Sequence, residues 1–193
     1  MNWKSPALTL TLALVTAAPA TAKTILPDAC GDDKTVFDIK IKKDQPPPDA
    51  PEAGKALIVF VETAPSHTLA PTYEVRYGLD GAWAGATKGK AYFAVSVTPG
   101  EHHLCSAIHG VMLKDAAAVD LDAEAGKTYY YEATVRETPA GGRTTVTTNA
   151  ATGQCMVMGG GGAVSSLSFV ALPDAEGRYR VKAWPLSLYT AKH

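Results

Sequence analysis

The feature that most constrains the fold is a run of short alternating segments cut by tight turns, residues 73–105 (YEVRYGLDGAWAGATKGKAYFAVSVTPGEHHLC). Tyr73, Val75 and Tyr77 alternate with Glu74 and Arg76, the period of a strand that buries one face. Asp80-Gly81 follows, a pair that tolerates the positive φ angles of a type I′ hairpin turn. Residues 82–86 return with Trp83, and residues 87–90 (TKGK) turn again. Phe93, Val95 and Val97 share one face of the next segment, and Pro99-Gly100 turns the chain into residues 101–108 (EHHLCSAI). Strands this short cannot stand alone, so a chain built from them must pair them into sheets.

The flanking sequence extends the pattern. In residues 35–43 (TVFDIKIKK), Ile39 and Ile41 face one way and Lys40 and Lys42 the other. Residues 44–55 are a Pro-rich, extended connector. Residues 56–62 (ALIVFVE) are continuously apolar, as expected of a central strand covered on both faces. Residues 63–71, with two prolines, read as a loop, and residues 115–122 (DAAAVDLD) read either as a strand or as one helical turn. Residues 125–127 turn into the aromatic strand 128–135 (TYYYEATV), and residues 144–148 (TTVTT) form a short edge strand. Residues 166–172 and 178–184 are expected as a last strand pair joined by 173–177 (PDAEG), with 187–193 a tail. The expectation is an all-β, Ig-like antiparallel β-sandwich of about eight or nine short strands with no long helix in the mature chain.

Hydrophobic residues make up 46% and charged residues 19% of the 193, a globular composition. The formal net charge is −1, and the longest basic cluster is Lys40, Lys42 and Lys43, which argues against a nucleic-acid partner. The N-terminus reads as an export signal. Lys4 supplies the positive region, residues 7–15 with Ala17 and Ala18 the apolar region, and Ala20-Thr21-Ala22 the cleavage site. The apolar run is short for a bilayer and broken by threonines and Pro19, so no integral span is expected after cleavage. Pro27-Asp28-Ala29 makes a poor lipobox, which disfavours a lipid anchor at Cys30. The expected organisation is a signal peptide over 1–22, an N-terminal segment over 23–55, and one sandwich domain over 56–193 with a Gly-rich insertion near 141–164. The location is periplasmic or extracellular.

Export permits a disulfide. Cys30, Cys105 and Cys155 allow three single bridges. The preferred pair is Cys30 with Cys105, which would pin the N-terminal segment to the central hairpins. If Leu104 faces the core, Cys105 faces away from it and can meet another segment.

Three turn-centred motifs occur in order: GLDGAWAG at 78–85, PGEHHL at 99–104 and AGKTYYY at 125–131. Together they resemble an uncharacterised bacterial envelope family of DUF type, many of whose members are exported or lipid-anchored. The first two also resemble PEGA-type modules, small β-sandwiches of bacterial surface proteins. The resemblance covers residue 55 to about residue 135 and implies a PEGA-like sandwich; it offers no catalytic residues to carry over.

The candidate chemistry is sparse. Glu101, His102 and His103 suggest a metal constellation, but adjacent strand residues point to opposite faces, so both imidazoles cannot easily hold one ion. One histidine is expected to pack at a sheet edge and the other to be solvated. The four glycines at 159–162 lack the Lys-Ser/Thr of a phosphate loop, and no Gly-x-Ser-x-Gly elbow is present. No catalytic residue, metal ligand or cofactor is assigned. If Tyr129 and Tyr131 face the core, Tyr130 faces out, and with Trp83 and His103 it is a candidate binding face for an envelope protein or glycan. Asp80, Gly81, Pro99 and Gly100 are assigned to turns. The alternative is an envelope enzyme, hydrolase-like, with a loop-built site from His67, His102 and Asp80.

Overall fold

Residues 57–61 (LIVFV) carry large apolar side chains at every position, and a strand of that kind must be covered twice. It is the fourth strand of a six-stranded sheet. The structure is a computed structural model and describes residues 26–43, 50–63, 73–109, 114–138 and 164–192. Among these residues the strands are β1 (Val36–Lys42), β2 (Ala56–Thr63), β3 (Glu74–Leu79), β4 (Ala82–Thr87), β5 (Ala91–Val97), β6 (Gly100–His109), β7 (Lys114–Ala123), β8 (Thr128–Thr138), β9 (Val164–Leu172) and β10 (Leu186–Lys192), with one helix, α1 (Asp174–Ala183), between β9 and β10. One sheet runs β1-β10-β5-β2-β8-β9 and the other β4-β3-β6-β7. The fold is an all-β sandwich.

The inner faces share one core. Ile58 and Phe60 of β2 meet Tyr77 of β3, Phe93 of β5, Leu104 of β6 and Phe169 of β9, all buried. Phe60 lies 5.0 Å from the Tyr77 ring and 5.1 Å from the Phe93 ring, centroid to centroid. Burial of each such side chain contributes about 1.5–3 kcal/mol, and tilted aromatic pairs add ~1 kcal/mol each.

The open sides are closed by side chains that reach across. Asp115 of β7 accepts the N–H of Leu167 on β9 at 2.7 Å. On the opposite side, Ser187 of β10 donates to the Ala86 carbonyl of β4 at 2.8 Å. Both bonds are buried, and both occupy a backbone group that would otherwise lack a ladder partner.

Each outer face also has an apolar stripe with its own cover. On the six-stranded sheet, Leu57, Val59, Val61 and Tyr92 pack under Val181 of α1. On the four-stranded sheet, Cys105, Ala107 and Ala116 pack under Ala29 and Cys30 of the N-terminal segment. The Cys30–Cys105 bridge ties that cover down, with a Cα–Cα distance of 5.3 Å across a sequence separation of 75.

The structure departs from the sequence expectation at the C-terminal end and in the direction of strand pairing. Residues 178–184 are not a strand. They belong to α1, which starts after Pro173 and has acids in its first turn and bases in its last. Arg178 pairs with Asp174, and Arg180 with Glu176, both at i,i+4 and 2.8 Å. The alternation of Tyr179, Val181 and Ala183 misleads, since Gly177 and Val181 are the buried pair and lie four apart. Residues 187–192 are not a tail but most of β10, which pairs antiparallel with β1 and parallel with β5. The six-stranded sheet is therefore mixed, with β2 and β8 also parallel. Residues 115–122, left open between strand and helical turn, are strand β7. The expected edge strand at 144–148, the glycines at 159–162, His67 and Cys155 lie outside the described residues.

Two outcomes follow from this packing. Replacement of Cys30 and Cys105 together by Ala lowers unfolding free energy by about 4 kcal/mol in the chain-entropy account, measured by urea titration. The parent protein loses a similar amount under reductant. Second, Gly177→Ala adds a Cβ that would stand 2.1 Å from the Tyr130 ring. Helix propensity alone favours Ala by about 1 kcal/mol, yet overpacking is expected to dominate and to cost about 1–3 kcal/mol, read as a fall in Tm.

Candidate functional site

The site is built from the β3–β4 hairpin. Asp80 (φ 52°) and Gly81 (φ 84°) both take the left-handed region, as a type I′ turn requires. This turn bonds to its neighbours. The Asp80 N–H donates to the His103 carbonyl at 2.9 Å, and Asp80 Oδ1 accepts the His103 N–H at 2.8 Å. The Gly81 N–H donates to the Ala29 carbonyl at 3.2 Å, which seats the N-terminal segment on the turn. That segment passes directly over Gly78, where a Cβ would stand 2.5 Å from the Ala29 oxygen.

Strand alternation separates the two histidines. His102 turns inward at the sheet end and is 8% exposed. Its Nδ1 is 2.7 Å from Asp80 Oδ2 and its Nε2 is 2.8 Å from the Thr98 carbonyl, in the turn that Pro99 and Gly100 (φ 129°) form. His103 points outward and is solvated, its Nδ1 2.7 Å from Asp120 Oδ1 on β7. The Asp120 carboxylate raises the His103 imidazole above its ordinary value. Burial works against a charged His102, but the Thr98 carbonyl and the Asp80 carboxylate outweigh it and raise this imidazole as well. Asp80 is held below the usual carboxylate range. Burial alone would raise it, but the His103 N–H and His102 overcome that.

Between the turn, the N-terminal segment and β7 lies a cleft of about 510 Å³. Pro27, Asp28 and Ala29 form one wall, Asp80 and Gly81 the floor, and His103, Ala118 and Asp120 the other wall. Such a lining presents acceptors beside one imidazole and suits a donor-rich group. It offers no ready base at His102, because two facing oxygen acceptors favour the imidazolium, which has no lone pair to take a proton. Among the described residues, no group of three His, Cys, Asp or Glu side chains is placed to hold a metal ion.

The candidate binding face does not assemble. Trp83 lies on the same outer face as His103, but it is occupied. Its Nε1 donates to the Asp32 carbonyl at 2.7 Å, and its ring stacks on Gly31, where a Cβ would come within 2.5 Å. The buried Arg76 guanidinium sits 5.8 Å from the Trp83 ring and 5.9 Å from the Phe37 ring. Tyr130 does face out, since Tyr131 faces the core, but it does so from the other sheet and under α1. Only His103 of the three reaches the cleft. Of the enzyme alternative, His102 and Asp80 do meet, as a structural pair. The sequence reading passed over Asp28, Asp120 and the Thr98 carbonyl. The signal for Asp120 is register, since it stands directly across from His103 in the β6–β7 ladder.

Comparison of the chain with models of protein families, with characterised proteins and with solved structures gives no match.

A second polar group lies inside the core. Glu62, at the end of β2, is fully buried and accepts the Gly89 N–H at 3.2 Å, while its Oε2 makes no hydrogen bond. Burial pushes its carboxyl up to about 8, against the bonds from Thr87 and Gly89. The folded state thus retains a proton that the unfolded chain releases near the ordinary 4.5. Stability falls as pH rises between those values, by up to about 1.4 kcal/mol per pH unit. Glu62→Gln is expected to remove that slope and to exceed the parent in stability at about pH 8, measured by urea titrations across the range.

Proposed function

We propose that this protein is an exported, non-catalytic β-sandwich of the bacterial periplasm or cell envelope that works by binding. Its partner is an envelope protein or a glycan, held without a cofactor at the cleft beside the β3–β4 turn. The carrying observation is that three of the cleft's ionisable side chains, Asp80, His103 and Asp120, are already committed to one another or to His102. Asp80 uses one oxygen on His102 and the other on the His103 N–H, and His103 is turned to Asp120. Groups fixed in this way make a preorganised recognition surface rather than a proton-transfer site. The N-terminal sequence supports export, and a Cys30–Cys105 bridge suits an oxidising compartment. The resemblance of residues 55–135 to envelope modules points the same way.

Two measurements test this reading. Residues 1–22 fused to a reporter that is active only outside the cytoplasm are expected to export it, and a reporter trapped in the cytoplasm overturns the localisation. Immobilised protein lacking residues 1–22 is expected to retain a saturable partner from envelope extract or to cosediment with cell-wall glycan. Asp120→Lys, which reverses one cleft wall, is expected to lower that retention at least about tenfold, the loss of roughly 1.4 kcal/mol of binding. Retention that is absent, or unchanged by Asp120→Lys, sinks the cleft as the binding site.

A further inference from the structure

The two acceptors around His102 have a consequence for the cleft. A neutral imidazole offers one donor and one acceptor, whereas the imidazolium offers two donors. Here a carboxylate oxygen and a carbonyl oxygen face the two nitrogens at 2.7 and 2.8 Å. Only the doubly protonated ring satisfies both. A neutral ring would turn a lone pair toward one oxygen in a site that is 8% exposed, where water cannot readily intervene.

We propose that His102 is a proton-operated latch that holds the cleft in shape. Protonated, it ties the β3–β4 turn to the β5–β6 turn through Asp80 and Thr98. Losing one proton to solvent, the ring keeps a single N–H for the stronger acceptor, Asp80, releases the Thr98 carbonyl and so unties the two turns. Asp80 in turn grips both backbone groups of His103, and the adjacent Gly81 N–H holds Ala29. The ring therefore braces from behind the turn that borders the cleft. The functional meaning of the latch rests on the binding role proposed above, although its operation does not.

Asp80 is the charged group that acts on the ring. Across β7 its register partner is the apolar Leu121, flanked by Asp120 and Asp122. On β6 its neighbours are Glu101 and His103, whose side chains alternate to the other face. The direction of the pH response follows. His102 is raised above its ordinary 6.5, so its contribution is complete below that value and is lost as pH rises through the raised value. Asp80 is lowered below its ordinary 3.8, so its contribution is complete above that value and is lost as pH falls through the lowered one. The latch is closed in mild acid and opens toward alkaline pH.

The test uses the protein alone, with no ligand. Long-range nitrogen–proton NMR is expected to find both His102 nitrogens protonated at about pH 6, with a titration midpoint above the ~6.5 of a free imidazole. Asp80→Asn is expected to lower that midpoint. Amide exchange at His103, corrected for its intrinsic pH dependence, is expected to accelerate about tenfold or more between about pH 5.5 and 8.5, because the Asp80 turn, no longer braced against Thr98, opens more readily. The gap in Tm between the parent and His102→Gln is expected to shrink over the same range. An unprotonated nitrogen at about pH 6, or exchange that ignores the titration, overturns the latch even if His102→Gln fails to fold. A latch that titrates while no partner is retained overturns the binding role alone. A retained partner with a pH-indifferent His102 overturns the latch alone.

Discussion

The double burial of β2 sets the architecture. Ile58 and Phe60 face the second sheet and make a sandwich necessary, while Leu57, Val59 and Val61 leave an apolar stripe on the outside. That stripe has to be removed from water, and α1 does it with little apolar surface of its own. Val181 and Gly177 are its buried residues. Gly177 lets the helix descend onto the Tyr130 ring, and Arg180 fixes its far end on Glu132 and the Thr63 hydroxyl while lying 5.1 Å from the Trp184 ring. The helix is held by close approach and by one cation rather than by an amphipathic face, which explains why its sequence lacks the apolar spacing of a typical covering helix.

The four-stranded sheet solves the same problem with different means. Its outer stripe is small, Cys105 with Ala107 and Ala116, and an irregular segment suffices to cover it. Irregular backbone is less well tied than a helix, so more pins are needed. They are the Cys30–Cys105 bridge, the Gly81 bond to Ala29, the Trp83 bond to Asp32, and Arg76, whose Nη1 reaches the Asp33 carbonyl. Trp83 and Arg76 look like recognition residues in a sequence, yet both are consumed in holding the chain to itself.

What was legible in the sequence was whatever local geometry decides. Alternation over 35–43, 73–77 and 92–97 located β1, β3 and β5 to within two residues at each end, Asp80-Gly81 gave its turn, and parity separated His102 from His103 and Tyr130 from Tyr131. The Cys30–Cys105 pairing was legible as a preference because Leu104 fixed the face of Cys105. Long-range placement was not legible. That Tyr130 and Trp83 leave the molecule from different sheets depends on strand order, which alternation does not encode. The helix at 174–183 was obscured because Tyr179, Val181 and Ala183 satisfy a period of two. The acid–base pairs four residues apart, Asp174 with Arg178 and Glu176 with Arg180, were the available signal against it.

The candidate site shows how one local rule produces a non-local arrangement. Adjacent residues on β6 must point to opposite faces, so a His-His pair necessarily places one ring against the core end and the other in solvent. The inward ring meets acceptors from two turns, and the outward ring meets Asp120 across the ladder. Asp80 joins the two environments, since one oxygen takes the His102 ring and the other takes the His103 N–H. Charge on the buried side is thereby coupled to backbone position on the cleft side through a single carboxylate. An apolar residue at 102 would pack as well, but it would remove that coupling and leave Asp80 and the Thr98 carbonyl without their shared partner.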